Sequence, residues 1–184
     1  MDLMHNIEEM KAHLKLILKN LSYARKIRKK YVKTDNCITF RPARRSDLIK
    51  IKRLHETLFG MQLLPWLKKI YFFRCSELCS VAVDENDNLI GYDLYFFEPS
   101  EYSKKIIHEL YIGVDENYQH KGIAVRLRQY SASCYEDGVI TGISTLARHG
   151  NINALRSAQK AGFGILKESV KPRAYYMFKA LKHR

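Results

Sequence analysis

The chain has 184 residues, a length that fits one domain with an appendage and is short for two. No apolar run approaches the ~20 residues needed to span a bilayer, and residues 1–6 lack the basic-then-apolar order of a secretory signal. The formal net charge of +13 points to a polyanion: nucleic acid, anionic lipid or a phosphorylated cofactor.

Residues 1 to about 33 read as one helix. Ile7, Met10, Leu14, Ile17, Leu21 and Ala24 alternate spacings of three and four, the pattern of a packing seam. Its second half carries Lys19, Arg25, Lys26, Arg28, Lys29, Lys30 and Lys33 without one acid. Packing on its own domain, or on a twin subunit as a homodimer, is favoured. An anionic surface and nucleic acid stay open as alternatives. The chain divides accordingly into this basic helix, 1–36, and a domain over 37–184.

After the polar break at 34–36, residues 38–42 read as a strand. Ser46 or Asp47 then caps a helix with Leu48, Ile51, Leu54 and Leu58 at helical spacing, Gly60 interrupts, and 63–74 is a second helix with Pro65 in its first turn. Strands at 78–83 and 89–97 flank an Asx-rich turn, and a polar loop at 98–105 leads to a strand at 106–114. A helix at 122–137, a strand at 139–147, a helix at 151–161 and strands near 163–170 and 174–181 follow. The order predicts a mixed α/β (α+β) sheet flanked by helices. Cys37, Cys75, Cys79 and Cys134 show no disulfide-like regularity and no second ligand pair for zinc. They read as reduced cysteines of a cytoplasmic protein without a metal.

The stretch richest in chemistry is 109–125, ELYIGVDENYQHKGIAV. A strand ends at Val114, a polar loop follows, and Gln119 to Ala124 opens a helix. The first turn of a helix has free N–H groups and the positive end of its dipole. Gly122 and Ala124 let backbone approach a pyrophosphate, and His120 and Lys121 add charge. An ordinary strand-to-helix turn is the competing reading of that segment alone. Gly113 inside a strand marks a bulge or a close approach by another chain.

These residues resemble the acyl-CoA motif of the GNAT superfamily, in which a strand precedes Gln/Arg-x-x-Gly-x-Gly/Ala. Asn151-Ile-Asn-Ala154, ending in Lys160-Ala-Gly162-Phe163, resembles that family's second motif. The resemblance implies a GNAT fold with an extra N-terminal helix and acetyl-CoA as co-substrate. It also implies that the pantetheine arm pairs with Ile112, Gly113 and Val114. The pyrophosphate cradle would be His120, Lys121, Gly122, Ile123, Ala124 and Val125, opened by Gln119, with Asn151 touching the cofactor arm.

Aminolysis of a thioester needs a neutral amine, hence a base. Glu109 is the expected base, with His108 on the opposite strand face as the fallback. Many family members carry a tyrosine proton donor seven residues after the motif asparagine, where this chain has Ala158. Ser157 is about 100° away round the helix, and Tyr175 and Tyr176 are the other hydroxyls considered. The acceptor, a primary amine with small molecules or amino sugars favoured, is expected among His55, Glu56, Phe59, Trp66, Phe96, Phe97, Glu98, Glu101 and Tyr102. The competing function is a basic nucleic-acid- or surface-binding module that holds acyl-CoA with little turnover.

Overall fold

The structure is a computed structural model describing residues 2–28 and 30–182; Met1 and Lys29 of the expected first helix lie outside the described residues. The first helix, α1 (Asp2–Ala24), stops nine residues short of the expectation. Lys26 and Ile27 donate three residues back, to Tyr23 and Ala24, and end it in a turn. Arg25, Lys26 and Arg28 have no acid one turn earlier to offset their repulsion.

The chain beyond α1 crosses to the other side of the sheet and plunges Lys30 into the interior. Its ammonium donates to Ser80 Oγ (3.0 Å) and lies 4.5 and 5.7 Å from the ring centres of Tyr135 and Tyr95. Burial pushes the Lys30 pKa down. A strand not foreseen, β1 (Lys33–Asp35), then pairs with β2 (Ile38–Pro42) across a two-residue turn. Asn36 and Cys37 both take positive φ there, 47° and 63°, the geometry of a tight hairpin.

The helix seam also differs from the expected one. Ala24 is buried and Ile17 and Leu21 half-buried, but Ile7, Met10 and Leu14 face solvent. The helix rests instead through His13, Ile17, Asn20 and Ala24. Asn20 is fully buried because its amide pairs with both backbone groups of Phe97, Nδ2 to O at 3.1 Å and Oδ1 from N at 2.7 Å. An apolar seam cannot register a polar residue whose partners are backbone.

Next come α2 (Asp47–Phe59), closed by Gly60 at φ 63°, and α3 (Pro65–Leu78), which runs past a kink at Arg74. The remaining elements are β3 (Cys79–Val83), β4 (Leu89–Phe96), a 3-10 turn (Pro99–Lys104), β5 (Ile106–Val114), α4 (Ile123–Tyr135), β6 (Gly142–Arg148), α5 (Ile152–Lys160), β7 (Gly164–Val170) and β8 (Arg173–Ala180). Among the described residues, eight strands form one mixed sheet in the order β1-β2-β3-β4-β5-β6-β8-β7. Neighbours along a strand face opposite ways. Tyr92 meets His55 of α2 and Asp93 meets Ser131 of α4, so those helices cover opposite faces. No described helix is long and apolar enough to cross a membrane.

One discontinuity positions the site. β5 and β6 are parallel neighbours, yet they pair only from Ile106↔Gly142 to Glu109↔Thr145. Beyond that point β5 stays with β4 as far as Gly91↔Val114, and β6 stays with β8 as far as Arg148↔Ala174. The two strands therefore splay apart. Leu110 is an extra residue opposite the Leu94–Tyr95 step, so the bulge falls three residues before Gly113. Gly113 has another reason. A Cβ there would lie 2.7 Å from Leu58 and 2.8 Å from the Tyr92 ring, so two side chains occupy the space.

Candidate active site

At the open end of the splay, Asp115 caps a 3-10 turn (Glu116–Tyr118) by accepting from Asn117 N at 3.0 Å. Gln119 ties the loop back by donating from Nε2 to Val114 O (3.1 Å). His120 and Gly122 then take left-handed backbone, φ 61° and 73°, which swings the chain into α4. The first amide to donate back within α4 is that of Arg126, to Gly122 O. The N–H groups of Ile123, Ala124 and Val125 precede it and stay available. A Cβ built on Gly122 meets nothing within 4 Å, and Gln119, His120 and Lys121 are exposed. Lys121 donates to Asn117 O (3.1 Å), which holds its charge beside the turn.

Ile112, Gly113 and Val114 satisfy β4 on one edge and have no strand on the other, where β6 has turned away. An extended chain with amide groups fits that edge, and a diphosphate fits the open turn beside it. Asn151 caps α5, its Oδ1 accepting from Ala154 N at 3.0 Å. It stands at the exposed start of that helix, after β6. Among the described residues, no cluster of three or more His, Cys, Asp or Glu is placed to hold a metal.

At the apex of the splay, Glu109 and His108 lie in different surroundings. Glu109 is 2% exposed, and both carboxylate oxygens accept from Arg128 of α4: Nε at 2.9 and 3.1 Å, Nη2 at 2.6 Å. Thr145 Oγ1 adds a fourth contact at 3.2 Å. Arg128 also donates to Ser157 Oγ, so one guanidinium joins β5, α4 and α5. Asp93 lies nearby; burial pushes its carboxyl well up, and the Glu109 charge adds to the effect.

His108 faces the α2–α3 side. Its Nδ1 is 2.8 Å from Ser144 Oγ on β6, and Ser144 donates to Glu101 Oε2 (2.9 Å). Tyr176 of β8 donates to the other oxygen of Glu101. His108 Nε2 has no hydrogen-bond partner among the described residues. Burial lowers the His108 pKa, with the Glu101 and Glu109 charges opposing, which favours the neutral ring. The Tyr176 hydroxyl is pushed up to about 12, by burial first and then by its bond to Glu101.

The other residues considered for proton transfer are placed less well. Ala158 is buried and has no donor. Ser157 is held between Arg128 and Ala154 O, and Tyr175 points away from Tyr176 to lie 4.5 Å from the His149 ring. Glu101 was expected on the acceptor side, but Ser144 and Arg128 were not anticipated. Ser144 is found only through the parallel register that sets it opposite His108.

The acceptor side divides too. Phe59 and His55 lie over Tyr111, at 5.6 and 4.7 Å between ring centres; Trp66 lies over Phe96 (5.8 Å) and Phe96 over His108 (5.6 Å). The 60–64 loop therefore bridges above the stretch from His108 to Tyr111, carrying exposed Met61 and Leu64. Phe97 and Tyr102 belong elsewhere: both pack on Tyr23 of α1, Tyr102 stacked and Phe97 tilted.

A splayed parallel strand pair with an open helix N-terminus beside it defines the acyl-CoA-dependent N-acyltransferases. The sequence profile described as "Acetyltransferase (GNAT) family" matches residues 48–163, well over half the chain, and the protein belongs to that family. Its fold is similar to that of Ard1 from Thermoplasma volcanium, with 21% identity, a TM-score of 0.64, and 79% of this chain and 98% of that one covered. It is similar also to Arabidopsis thaliana Naa50 in complex with the bisubstrate analogue CoA-Ac-MVNAL (20%, 0.63, 78% and 98%). A third similar structure is the aminoglycoside acetyltransferase AAC(6')-Ib with coenzyme A and kanamycin (18%, 0.59, 78% and 94%). A comparison with curated proteins finds no match. The chain is thus an acetyl-CoA-dependent N-acetyltransferase whose acceptor these comparisons leave open.

Proposed function

We propose that the protein acetylates a primary amine carried beside an apolar or aromatic group, with His108 as the base. The observation that carries this reading is the end of the β5–β6 pairing at Glu109↔Thr145, which sets His108 at the apex of the splay. Acetyl-CoA, when bound, supplies the activated acetyl thioester. Gly122 to Val125 would hold its diphosphate and the open edge of Ile112–Val114 its pantetheine arm, with Asn151 beside it. A β5 amide just past the bulge would steady the carbonyl oxygen as negative charge develops.

His108 accepts the amine's proton at Nε2, directly or through a water, while Ser144 holds Nδ1 and fixes the ring's direction. Glu101 anchors Ser144 and Tyr176 together. Tyr176 contributes the phenol of this cluster and is the candidate donor to the departing thiolate in place of the side chain missing at Ala158. Glu109 becomes a positioning residue: a buried carboxylate clamped through both oxygens by the Arg128 guanidinium, with Thr145 on one of them, serves as an ion-pair anchor.

The acceptor side favours an apolar flank. Phe59, Met61, Leu64, Trp66 and Phe96 surround the approach, and of the acids expected there Glu101 is committed to the cluster and Glu56 lies 3.8 Å from Lys52. A polycationic amino sugar, the acceptor favoured from sequence, would want several uncommitted carboxylates. The test is thiol release with acetyl-CoA against peptides beginning Met-Leu, arylalkylamines and kanamycin. Turnover of the first two above the third is expected. Preference for kanamycin, or silence from all three with folded protein, overturns the reading.

A further inference from the structure

A cavity of about 440 Å³ lies where the β2–α2 connection meets the last turns of α3. None of its residues belongs to the cofactor turn, the splay or the acceptor side. β2 and β5 are three strands apart in the sheet, on the order of 14 Å at ~4.8 Å a step. Phe73, in the cavity's lining, follows Trp66 by seven residues of α3, or about 10 Å. The volume is that of a small-molecule site.

The lining holds four arginines, Arg41, Arg44, Arg45 and Arg74, against one acid, Glu77. Two of the four are structural. Arg41 is buried and gives both Nη groups to Asp47, at 2.6 and 3.0 Å, and Arg74 reaches Glu77 at 3.4 Å. Their Nε–H groups are buried and find no acceptor among the described residues, so donors outnumber acceptors in this wall. The other two face solvent. The Arg44 guanidinium stands 3.9 Å from the exposed Asp87, and Arg45 has no ion pair among the described residues and lies over the Phe72 ring at 4.7 Å.

Exposed rings stand beside these cations. Phe72 and Phe73 are 49% and 56% exposed and meet edge to face, with 5.1 Å between centres. The apolar face of α3 is already supplied by the buried Leu67, Ile70 and Tyr71, so the core has no need of either ring. Guanidiniums without a carboxylate clamp beside a solvent-facing ring suit a phosphate attached to a flat ring system. Arg grips phosphate oxygens through parallel N–H bonds, and an aromatic face stacks on a base. A small aliphatic anion would leave the ring unused, and an apolar ligand would leave the arginines unused.

We infer that this cavity binds a nucleoside monophosphate, with the phosphate on Arg44 and Arg45 and the base against Phe73. It is a phosphate site additional to the cofactor cradle, and it gives part of the +13 charge a use of its own. The inference does not depend on the reading of His108.

The test is calorimetry with AMP, ribose 5-phosphate and adenosine on the whole chain and on its Arg45→Gln and Phe73→Ser variants. AMP should bind at least about tenfold more tightly than either fragment, since one lacks the base and the other the charge. Each substitution should weaken AMP by about tenfold. Both alter exposed side chains, and an unchanged melting temperature separates lost binding from lost folding. Acetyl-CoA should bind equally well with and without saturating AMP. Ribose 5-phosphate matching AMP, or AMP binding that both variants keep, overturns the inference. A fall in acetyl-CoA affinity in step with AMP occupancy places AMP in the cofactor cradle and also overturns it. So does an oligoadenylate that binds far more tightly than AMP with a steep salt dependence, the mark of a nucleic-acid surface. Each of these failures leaves the proposed acetyl transfer standing.

Discussion

His108 and Glu109 are consecutive in sequence and differ in which face of β5 they occupy. On the α4 face, Glu109 meets a guanidinium that spans both of its oxygens and a hydroxyl on one of them, and the result is a rigid interior cross-link. On the α2–α3 face, His108 is held by one nitrogen and keeps the other unbonded, beside a hydroxyl and a second acid. A reactive group needs an atom left over. Under the proposed reading, the group with a free nitrogen does the chemistry and the group clamped in an ion pair serves the architecture.

The sharpest way to break this contrast is to remove the cross-link. Arg128→Met leaves Glu109 buried and unpaired and should cost about 3–5 kcal/mol of stability in urea titrations. Glu109→Gln should lower the melting temperature while the kcat of the folded fraction falls less than about tenfold. A loss of about a hundredfold in kcat at unchanged melting temperature would instead make Glu109 the base.

His108→Ala carries the converse expectation: kcat down by roughly a hundredfold, with little change in melting temperature or in the heat of CoA binding. The base works only when neutral, so kcat/KM should fall as pH drops through its pKa. Because burial lowers that pKa, the acid limb should lie below the ordinary histidine value of about 6.5 and vanish in the variant. An unchanged limb would exclude His108.

Two smaller effects sharpen the picture. Gly122 sits at φ 73° in open space, so Gly122→Val strains the turn and crowds the cradle. The KM for acetyl-CoA should rise about tenfold, with kcat changed much less. Tyr176→Phe removes one hydroxyl from the Glu101 cluster, and a drop of about threefold to tenfold in kcat is expected at constant acetyl-CoA KM. No change would leave the thiolate to depart without help from Tyr176.

The element order and the open turn that leads into α4 were legible because each depends on local rules: periodicity, a small residue at the turn, and free amides at a helix start. The surroundings of His108 and Glu109 were not. Alternation places them on opposite faces but says nothing of what waits there. Arg128 reads in sequence as one more basic helix residue, and Ser144 as one more strand residue. Only the three-dimensional register makes the first a cross-link and the second a hinge pin for the imidazole. The packing of the extension on its own domain was foreseen, but its length and contact residues were not, for a related reason: Asn20 and Lys30 look like surface residues until Phe97 and Ser80 are brought to meet them.

Lys30 has a practical consequence for anyone who trims this protein. A cut at residue 36, where the amphipathic helix gives way to the family domain, removes a peg from the space between Ser80, Tyr95 and Tyr135. The shortened chain would behave as a cavity variant, with water or a void standing where an ammonium had been. Softening should be felt first along α4, whose Ser131 and Tyr135 line that space and whose opening turn presents the amides of Ile123 to Val125.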